Sequence, residues 1–251
     1  MPESETPLRI LIVAAHPDDI EFGAGGSAAV WAAEGARITY AMVTDGGAGS
    51  NKPGEDLAQL VKTRQVEQIA AAEVVGVHDV RFLGYRDGTL QHTLELRRDL
   101  TRLIRELRPD RVVISDPTMV FAGNFYINHP DHRAAAEAAL YAVFPSAGAR
   151  PIFPELLAEG YEPHEVSELY IQFTDHPDTI IDISSVIDLK IQSLLCHQSQ
   201  LGPEVAKMVR EWDAELGKDK GFAFAEGFRV MKLKQEEAEA QVASEAPVPA
   251  K

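Results

Sequence analysis

The chain has 251 residues and a formal net charge of −15, which argues against nucleic acid or an anionic membrane as a partner, because both attract basic surfaces. Its length suits one large domain with a buried core. Cys196 is the single cysteine, so an intrachain disulfide is excluded and a reducing, cytoplasmic location is expected. No stretch approaches the ~20 apolar residues that a membrane span requires.

Strand-like and helix-like segments alternate through the first half of the chain, a pattern typical of βαβ units on a parallel sheet. The predicted strands are Leu8–Ala15, Arg37–Val43, Val80–Leu83 and Arg111–Ser115. The predicted helices are Ser27–Glu34, Asp56–Val75, a segment ending at Leu107, and Asp131–Val143. Later strands at Leu169–Phe173 and Thr179–Ile183 are predicted to form a hairpin around His176–Asp178, and a helix follows them.

The two ends of the chain depart from this pattern. Residues 1–7 and the acidic, Ala/Pro-rich residues 233–251 have the composition of disordered segments. Between them we find no internal repeat and no linker. Residues 8–232 are therefore predicted to form a single α/β domain with a mostly parallel central sheet.

Two clusters of metal-type side chains follow predicted strands: His16-Pro17-Asp18-Asp19 and His129-Pro130-Asp131-His132. In open α/β sheets, sites form outside the carboxyl ends of strands that diverge, so the two clusters are expected to meet there. Imidazole and carboxylate ligands suit zinc, and catalytic zinc sites often use three protein ligands plus water. A turn or helix cap would explain one aspartate in each cluster, but it leaves the histidines unexplained. The two histidines of the second cluster share a helix face, so both could chelate, or one could bind while the other touches substrate.

Three other patterns leave alternatives open. Gly23–Ala28 fits a loose G-x-G-x-x-A fingerprint, which would indicate a dinucleotide-binding oxidoreductase, but charged residues separate it from the preceding strand. Arg64 could form a surface pair with Glu67 or reach a polar substrate group. The metal clusters could also serve phosphoester hydrolysis, which usually uses two metals, or a non-catalytic metal- or sugar-binding protein.

The segment Ala15–Gly23, followed by Gly25-Gly26-Ser27, resembles the opening motif of the PIG-L/LmbE-type N-acetylglucosaminyl deacetylases. His129–Arg133 resembles the second motif of that family. Weaker similarities run almost to the end of the chain: Arg64–Glu67, Phe82–Gly88, His197–Gln200 and Ala225–Arg229.

This resemblance implies a Rossmann-like three-layer α/β sandwich and metal-dependent hydrolysis of the 2-acetamido group of a sugar. It implies Zn²⁺, with Fe²⁺ as the alternative, bound by His16, Asp19 and His132. It implies Asp18 as general base and His129, backed by Asp131, as the group that faces the oxyanion. Arg64 is implied as a substrate contact. To it we add three aromatic residues whose faces suit a sugar ring: Phe121, Phe125 and Tyr126. The expected partner is a small amino-sugar substrate, and a homo-oligomer is compatible with the sequence.

Overall fold

The computed structural model describes residues 6–124 and 126–234. Most of the predicted leader and of the predicted acidic tail lie outside the described residues, and so does the predicted substrate contact Phe125. The strands are β1 Arg9–Ala14, β2 Arg37–Thr44, β3 Asp79–Tyr85, β4 Arg111–Ser115, β5 Phe121–Ala122, β6 Tyr126–Ile127, β7 Glu168–Gln172, β8 Thr179–Asp182 and β9 Ala225–Lys232.

The helices are α1 Asp19–Gly23, α2 Gly25–Ala33, α3 Leu57–Val74, α4 Leu94–Leu107, α5 Pro130–Tyr141, α6 Pro154–Ala158, α7 Ile187–Leu194 and α8 Val205–Lys218. Local chemistry explains where two of them begin. The Asp56 side chain accepts from the backbone N–H of Gln59 at the start of α3, and Thr93 accepts from Leu96 at the start of α4. No helix in the described part of the chain is both long and apolar enough to cross a bilayer.

Seven strands form a central sheet in the order β3-β2-β1-β4-β7-β9-β8. The first five strands in this order are parallel, and β9 is antiparallel to both of its neighbours. Apolar side chains fill both faces of the sheet. One face packs against α4 and α5, and the other packs against α2 and the end of α3. The predicted Rossmann-like three-layer fold is confirmed.

The predicted hairpin between the strands that correspond to β7 and β8 is wrong. Strand β9, which the sequence pattern did not indicate, inserts between β7 and β8 and pairs with both. The segment around His176 therefore connects two strands that run parallel to each other and are separated by β9. Between β4 and α5, the chain forms the short antiparallel pair β5–β6.

The fold places a crevice between β1 and β4. These strands are neighbours, but α2 follows β1 on one face of the sheet while α5 follows β4 on the other. Such a reversal opens space at the carboxyl ends of the two strands, which is where ligands bind in open α/β sheets. Both histidine clusters lie at this edge.

Candidate active site

His16, Asp19 and His132 form a group whose potential ligand atoms all lie within 4.8 Å of one another. His16 follows β1, Asp19 opens α1, and His132 is in the first turn of α5. Asp19 lies in the middle, with Oδ2 3.5 Å from Nδ1 of His16 and Oδ1 3.1 Å from Nε2 of His132. The crevice therefore brings together two residues from one motif and one from the other.

In each of these two histidines, the ring nitrogen that faces away from Asp19 lies close to an oxygen atom. Nδ1 of His132 is 2.9 Å from Oδ1 of Asn128. Nε2 of His16 is 3.0 Å from Oδ1 of Asp87 and 3.5 Å from Oδ2 of Asp131. Outer acceptors of this kind place the proton on the far nitrogen and leave the inner nitrogen free to bind a metal. Asp87 was not predicted as a site residue, although it lies in the weak family motif Phe82–Gly88.

The electrostatics of this group fit a divalent cation. Burial lowers the pKa of His16, but the carboxylates of Asp131, Asp19 and Asp87 outweigh burial and raise the pKa to about 12. Burial disfavours the charged form of Asp19, yet His132 and His16 hold its pKa well below the usual range. The site thus concentrates negative charge around two imidazoles. When no cation is bound, this charge favours a proton on His16, and a metal ion would take the place of that proton. Two imidazoles and one carboxylate are suitable ligands for Zn²⁺ and Fe²⁺.

Asp18 points away from Asp19 and towards α3. Its carboxylate Oδ2 accepts from Nη2 of Arg64 at 3.2 Å, and its backbone N–H donates to Oε1 of Gln68 at 3.0 Å. Burial and the charge of Asp19 raise the pKa of Asp18 to about 7, although the charge of Arg64 acts in the opposite direction. A carboxyl group that exchanges its proton near neutral pH has the property of a general base.

Arg64 is buried, and its guanidinium binds protein atoms. It donates to the carbonyl oxygens of Gly46 at 2.9 Å and Pro17 at 2.8 Å, in addition to Asp18. Glu67 accepts from Ser199 instead, so the surface-pair interpretation is wrong. The structure thus places Arg64 against the predicted base.

His129 caps the first turn of α5, where its Nδ1 accepts from the backbone N–H of Asp131 at 3.3 Å. Its ring centroid lies 4.7 Å from that of His16 and 5.5 Å from that of His132, so the three imidazoles surround one space. Because Nδ1 accepts, the neutral ring carries its proton on Nε2. Burial and the charge of His16 lower the pKa of His129.

The expected pairing of Asp131 with the ring of His129 is longer than a hydrogen bond, at 4.0 Å. The Asp131 carboxylate accepts from the backbone N–H groups of Gly88 at 2.7 Å and Leu90 at 3.1 Å. With His16 and His129, Asp131 also forms a second group of clustered potential ligands. In this structure, therefore, Asp131 mainly holds the loop after β3 and the ring of His16.

The β5–β6 hairpin stands beside the site and exposes aromatic side chains. Phe121 is 64% exposed and Tyr126 is 48% exposed. Phe121 also lines a cavity of about 280 Å³ beyond the ends of β4 and β7, together with Asp116, Thr118, Met119, Val120, Thr174, Asp175 and His176. The side chain of Asn128, which contacts His132, donates to the carbonyl of Met119 at 2.9 Å. One wall of the cavity is thus hydrogen-bonded to Asn128, which is itself in contact with His132.

The glycine-rich segment binds a protein carboxylate. Glu226 accepts from the backbone N–H of Gly26 at 2.9 Å and of Ser27 at 2.7 Å, at the start of α2. Lys190 lies 2.8 Å from Glu226 and 2.8 Å from Asp213. Because Glu226 occupies the helix terminus that a pyrophosphate would use, the dinucleotide interpretation is not supported. A Cβ on Gly26 would lie 2.8 Å from Ile183, so this glycine permits close packing.

Comparison with known proteins adds family relationships to this geometry. The sequence profile described as PIG-L, GlcNAc-PI de-N-acetylase, matches residues 11–143. The chain is 31% identical over 230 residues to diacetylchitobiose deacetylase of Thermococcus kodakarensis, covering 88% of this chain and 82% of the relative. It is 28% identical over 210 residues to a probable N-acetyl-alpha-D-glucosaminyl L-malate deacetylase 2 of Bacillus anthracis, covering 81% and 86%. The structure of N,N'-diacetylchitobiose deacetylase from Pyrococcus horikoshii superposes with a TM-score of 0.82 at 28% identity, covering 89% of this chain and 84% of that one.

Proposed function

Because this chain belongs to the PIG-L (GlcNAc-PI de-N-acetylase) family, we propose that it hydrolyses the 2-acetamido group of an N-acetylglucosamine-type sugar or conjugate to the free amine and acetate. The observation that carries this proposal is the position of Asp18, a largely buried carboxyl group with a raised pKa, next to the group of His16, Asp19 and His132. Two of the similar proteins named above are deacetylases of acetylated glucosamine compounds, which supports the same substrate class here.

His16, Asp19 and His132 would hold the metal, which we propose to be Zn²⁺, with Fe²⁺ as the alternative that the same ligands accept. When bound, such an ion polarises a carbonyl and lowers the pKa of water to about 7. The buried carboxylate of Asp87 near His16 and the amide oxygen of Asn128 near His132 would keep the two rings oriented.

Asp18 acts as general base and then as general acid. It accepts a proton from the attacking water while the new C–O bond forms, and it returns that proton to the nitrogen as the amide C–N bond breaks. A pKa of about 7 suits both directions of this transfer at neutral pH. Asp19 serves as ligand at the same time, because its carboxylate faces the two imidazoles while that of Asp18 faces Arg64.

His129 donates a hydrogen bond to the negative charge that develops on the carbonyl oxygen. Its Nδ1 is occupied by the cap of α5, so Nε2 is the nitrogen available for this donation. Its side chain is 40% exposed, so a substrate can reach it. Asp131 supports the arrangement by holding the loop after β3 and the ring of His16. Donors placed at a developing oxyanion are among the largest single contributions to catalysis.

The sugar is recognised beside His16, Asp19 and His132 by the aromatic residues Phe121 and Tyr126 on the hairpin. Arg64, the other predicted contact, is buried and its guanidinium donates to protein atoms, so its proposed role is to hold Asp18. Aromatic faces suit the apolar face of a sugar ring. The cavity beside Phe121, of about 280 Å³, is at the small end of ligand pockets and would take one further ring of the substrate. A homo-oligomeric state and a cytoplasmic location stay predictions.

The test is an assay of acetate and free-amine release by the purified protein. The substrates are N-acetylglucosamine, its disaccharide, anionic conjugates and simple acetamides, each before and after chelation and reloading with Zn²⁺ or Fe²⁺. We expect the protein to hydrolyse acetamido sugars. Chelation should abolish this activity, and one of the two metals should restore it. Equal rates on simple acetamides would contradict the sugar specificity. Sugar binding without turnover would favour the non-catalytic alternative.

A further inference from the structure

Behind Asp18 lies a series of three fully buried polar side chains that the proposed reaction does not use: Gln68, Glu21 and His197. Gln68 accepts from the backbone N–H of Asp18 at 3.0 Å and donates through Nε2 to Oε1 of Glu21 at 2.7 Å. Oε2 of Glu21 lies 3.3 Å from Nε2 of His197. The three residues come from α3, α1 and the segment after α7, so the contacts join parts of the chain that are distant in sequence.

This series fixes which way the Gln68 amide points. The carboxylate oxygen of Glu21 accepts from the NH₂ group of Gln68, so the amide oxygen is left to accept from the N–H of Asp18. Nε2 of His197 lies beside the other carboxylate oxygen of Glu21. Although burial lowers the pKa of His197, its contact with Glu21 outweighs burial and raises the pKa above its ordinary value. A reversed amide would place NH₂ against the N–H of Asp18, with no acceptor between them.

The segment that carries His197 is itself attached to α3. Glu67 accepts from the backbone N–H of Ser199 at 2.8 Å and from its hydroxyl at 2.6 Å. Glu67 and Gln68 are consecutive residues of α3, so one helix both anchors this segment and presents the amide to Asp18. The weak family motif at His197–Gln200 thereby acquires a physical role.

The backbone of Asp18 needs such support. Its φ of 91° lies in the left-handed region, which is unfavourable for a residue with a side chain. Backbone strain of this kind persists only where the surrounding contacts over-determine the conformation. The amide oxygen of Gln68 binds the N–H at this position, and Arg64, one helical turn earlier on α3, binds the carbonyl of Pro17 and the carboxylate of Asp18.

We propose that Gln68, Glu21 and His197 are positioning residues for the deacetylation, which set the backbone and hence the carboxylate of Asp18 by fixing the orientation of the Gln68 amide. This inference rests on the proposed function of Asp18 as the base. None of the three residues needs to touch the substrate. They act through Asp18, so their removal should affect the proton transfer and leave substrate and metal binding in place.

The test compares Gln68→Met with Gln172→Met in the metal-loaded full-length enzyme. Both glutamines are fully buried, and Gln172 lies at the end of β7 with no hydrogen-bond partner for its amide among the described residues. Gln68→Met is expected to lower kcat by roughly tenfold to a hundredfold, the scale of a misplaced catalytic group. KM should stay within about twofold and the metal content should stay full, because only an interaction used in the transition state is lost. Equal kcat values in the two variants would overturn the proposal.

A double-mutant cycle with Asp18→Asn distinguishes positioning from general damage. If Gln68 acts through Asp18, adding Gln68→Met to Asp18→Asn should cause no further loss of kcat. If Gln68→Met lowers kcat in the Asp18→Asn background by the same factor as in the wild type, Gln68 does not act through Asp18 and the proposal is overturned. If Gln68→Met does not fold, Glu67→Ala takes its place, because Glu67 lies near the surface and anchors the His197 segment. A lower kcat that disappears in the Asp18→Asn background supports the proposal, and a wild-type kcat overturns it.

The failure of the proposed function has a different signature. In that case the wild-type enzyme releases acetate from none of the acetamido sugars, whatever metal is supplied. The positioning is then decided by a crystal structure of Gln68→Met. We expect φ of Asp18 to leave the left-handed region and its carboxylate to move away from Arg64. An Asp18 that stays in place would overturn the inference independently of the reaction.

Discussion

Replacing Arg64 by methionine is expected to move the acid limb of the pH–rate profile to higher pH. Nη2 of Arg64 lies 3.2 Å from Oδ2 of Asp18, and both side chains are largely buried. Two unit charges at this distance attract by about 5 kcal/mol at an effective dielectric constant of about 20. An opposite charge this close typically lowers the pKa of a carboxyl group by about 1–3 units. Without it, the pKa of Asp18 should rise from about 7.

The consequence for rate depends on the protonation state that the base requires. Asp18 must be a carboxylate to accept a proton, and a higher pKa leaves a smaller carboxylate fraction at neutral pH. At pH 7 the wild-type carboxyl is about half ionised, so a rise of about 1–3 pKa units should lower kcat by roughly 5- to 500-fold. The loss should shrink as the pH rises through the shifted limb.

The assay is kcat and KM measured across the neutral and alkaline range for Arg64→Met and Arg64→Lys. Lysine keeps the positive charge, so its acid limb should stay near that of the wild type, although lysine cannot reproduce the fork of bonds to Pro17 and Gly46. The quantity to compare is the difference between the two limbs, because a bound metal ion contributes the same charge to both variants. Identical limbs combined with a raised KM would refute this reasoning and show that Arg64 contacts the substrate, as the sequence motif implies.

The remaining predictions concern the metal, the base and stability. His132→Ala should lose metal and activity together in elemental analysis, whereas Asp18→Asn should keep its metal and lose about 10²–10⁴ in kcat; a metal-free Asp18→Asn would contradict this division. Burial, with a contribution from Glu226, raises the pKa of Asp213 from 3.8 to about 6 despite the charge of Lys190. The protonated Asp213 therefore contributes stability at low pH, and this contribution is lost as the pH rises from about 4 to about 6. Relative to Asp213→Asn, the unfolding free energy of the wild type should fall by up to about 3 kcal/mol across this pH range; a constant difference in urea unfolding would contradict the reasoning.

The sequence predicts those parts of the fold that depend on local signals. The buried strands β1, β2 and β4 are apolar runs bounded by polar residues or Gly and Pro, and these signals need no knowledge of the partner strand. The two histidine motifs follow strands, and the geometry of parallel sheets then brings them together. The grouping of His16, Asp19 and His132 could be predicted in this way because these residues lie in short motifs that carry their chemistry.

The parts that could not be predicted depend on contacts between distant segments. Asp87 and His16 are far apart in sequence but in contact in the fold. The same holds for Gln68, Glu21 and His197, which form a series of contacts. Nothing in the local pattern distinguishes Gln68 from a surface glutamine of α3. Strand β9 was missed for a related reason: its position between β7 and β8 is set by pairing with both, not by its own alternation of residues.

The proposed separation of roles between Asp18 and Asp19 relates to one backbone angle. Two adjacent acidic residues would ordinarily compete for the same cation, because both carboxylates carry the same charge and have similar reach. Here the left-handed conformation of Asp18, at φ 91°, turns the chain sharply before α1 begins. The carboxylate of Asp19 consequently faces His16 and His132, while that of Asp18 meets Arg64. The strained angle would thus allow neighbouring residues to serve as ligand and base in the proposed reaction, and α3 contacts this turn through Arg64 and Gln68.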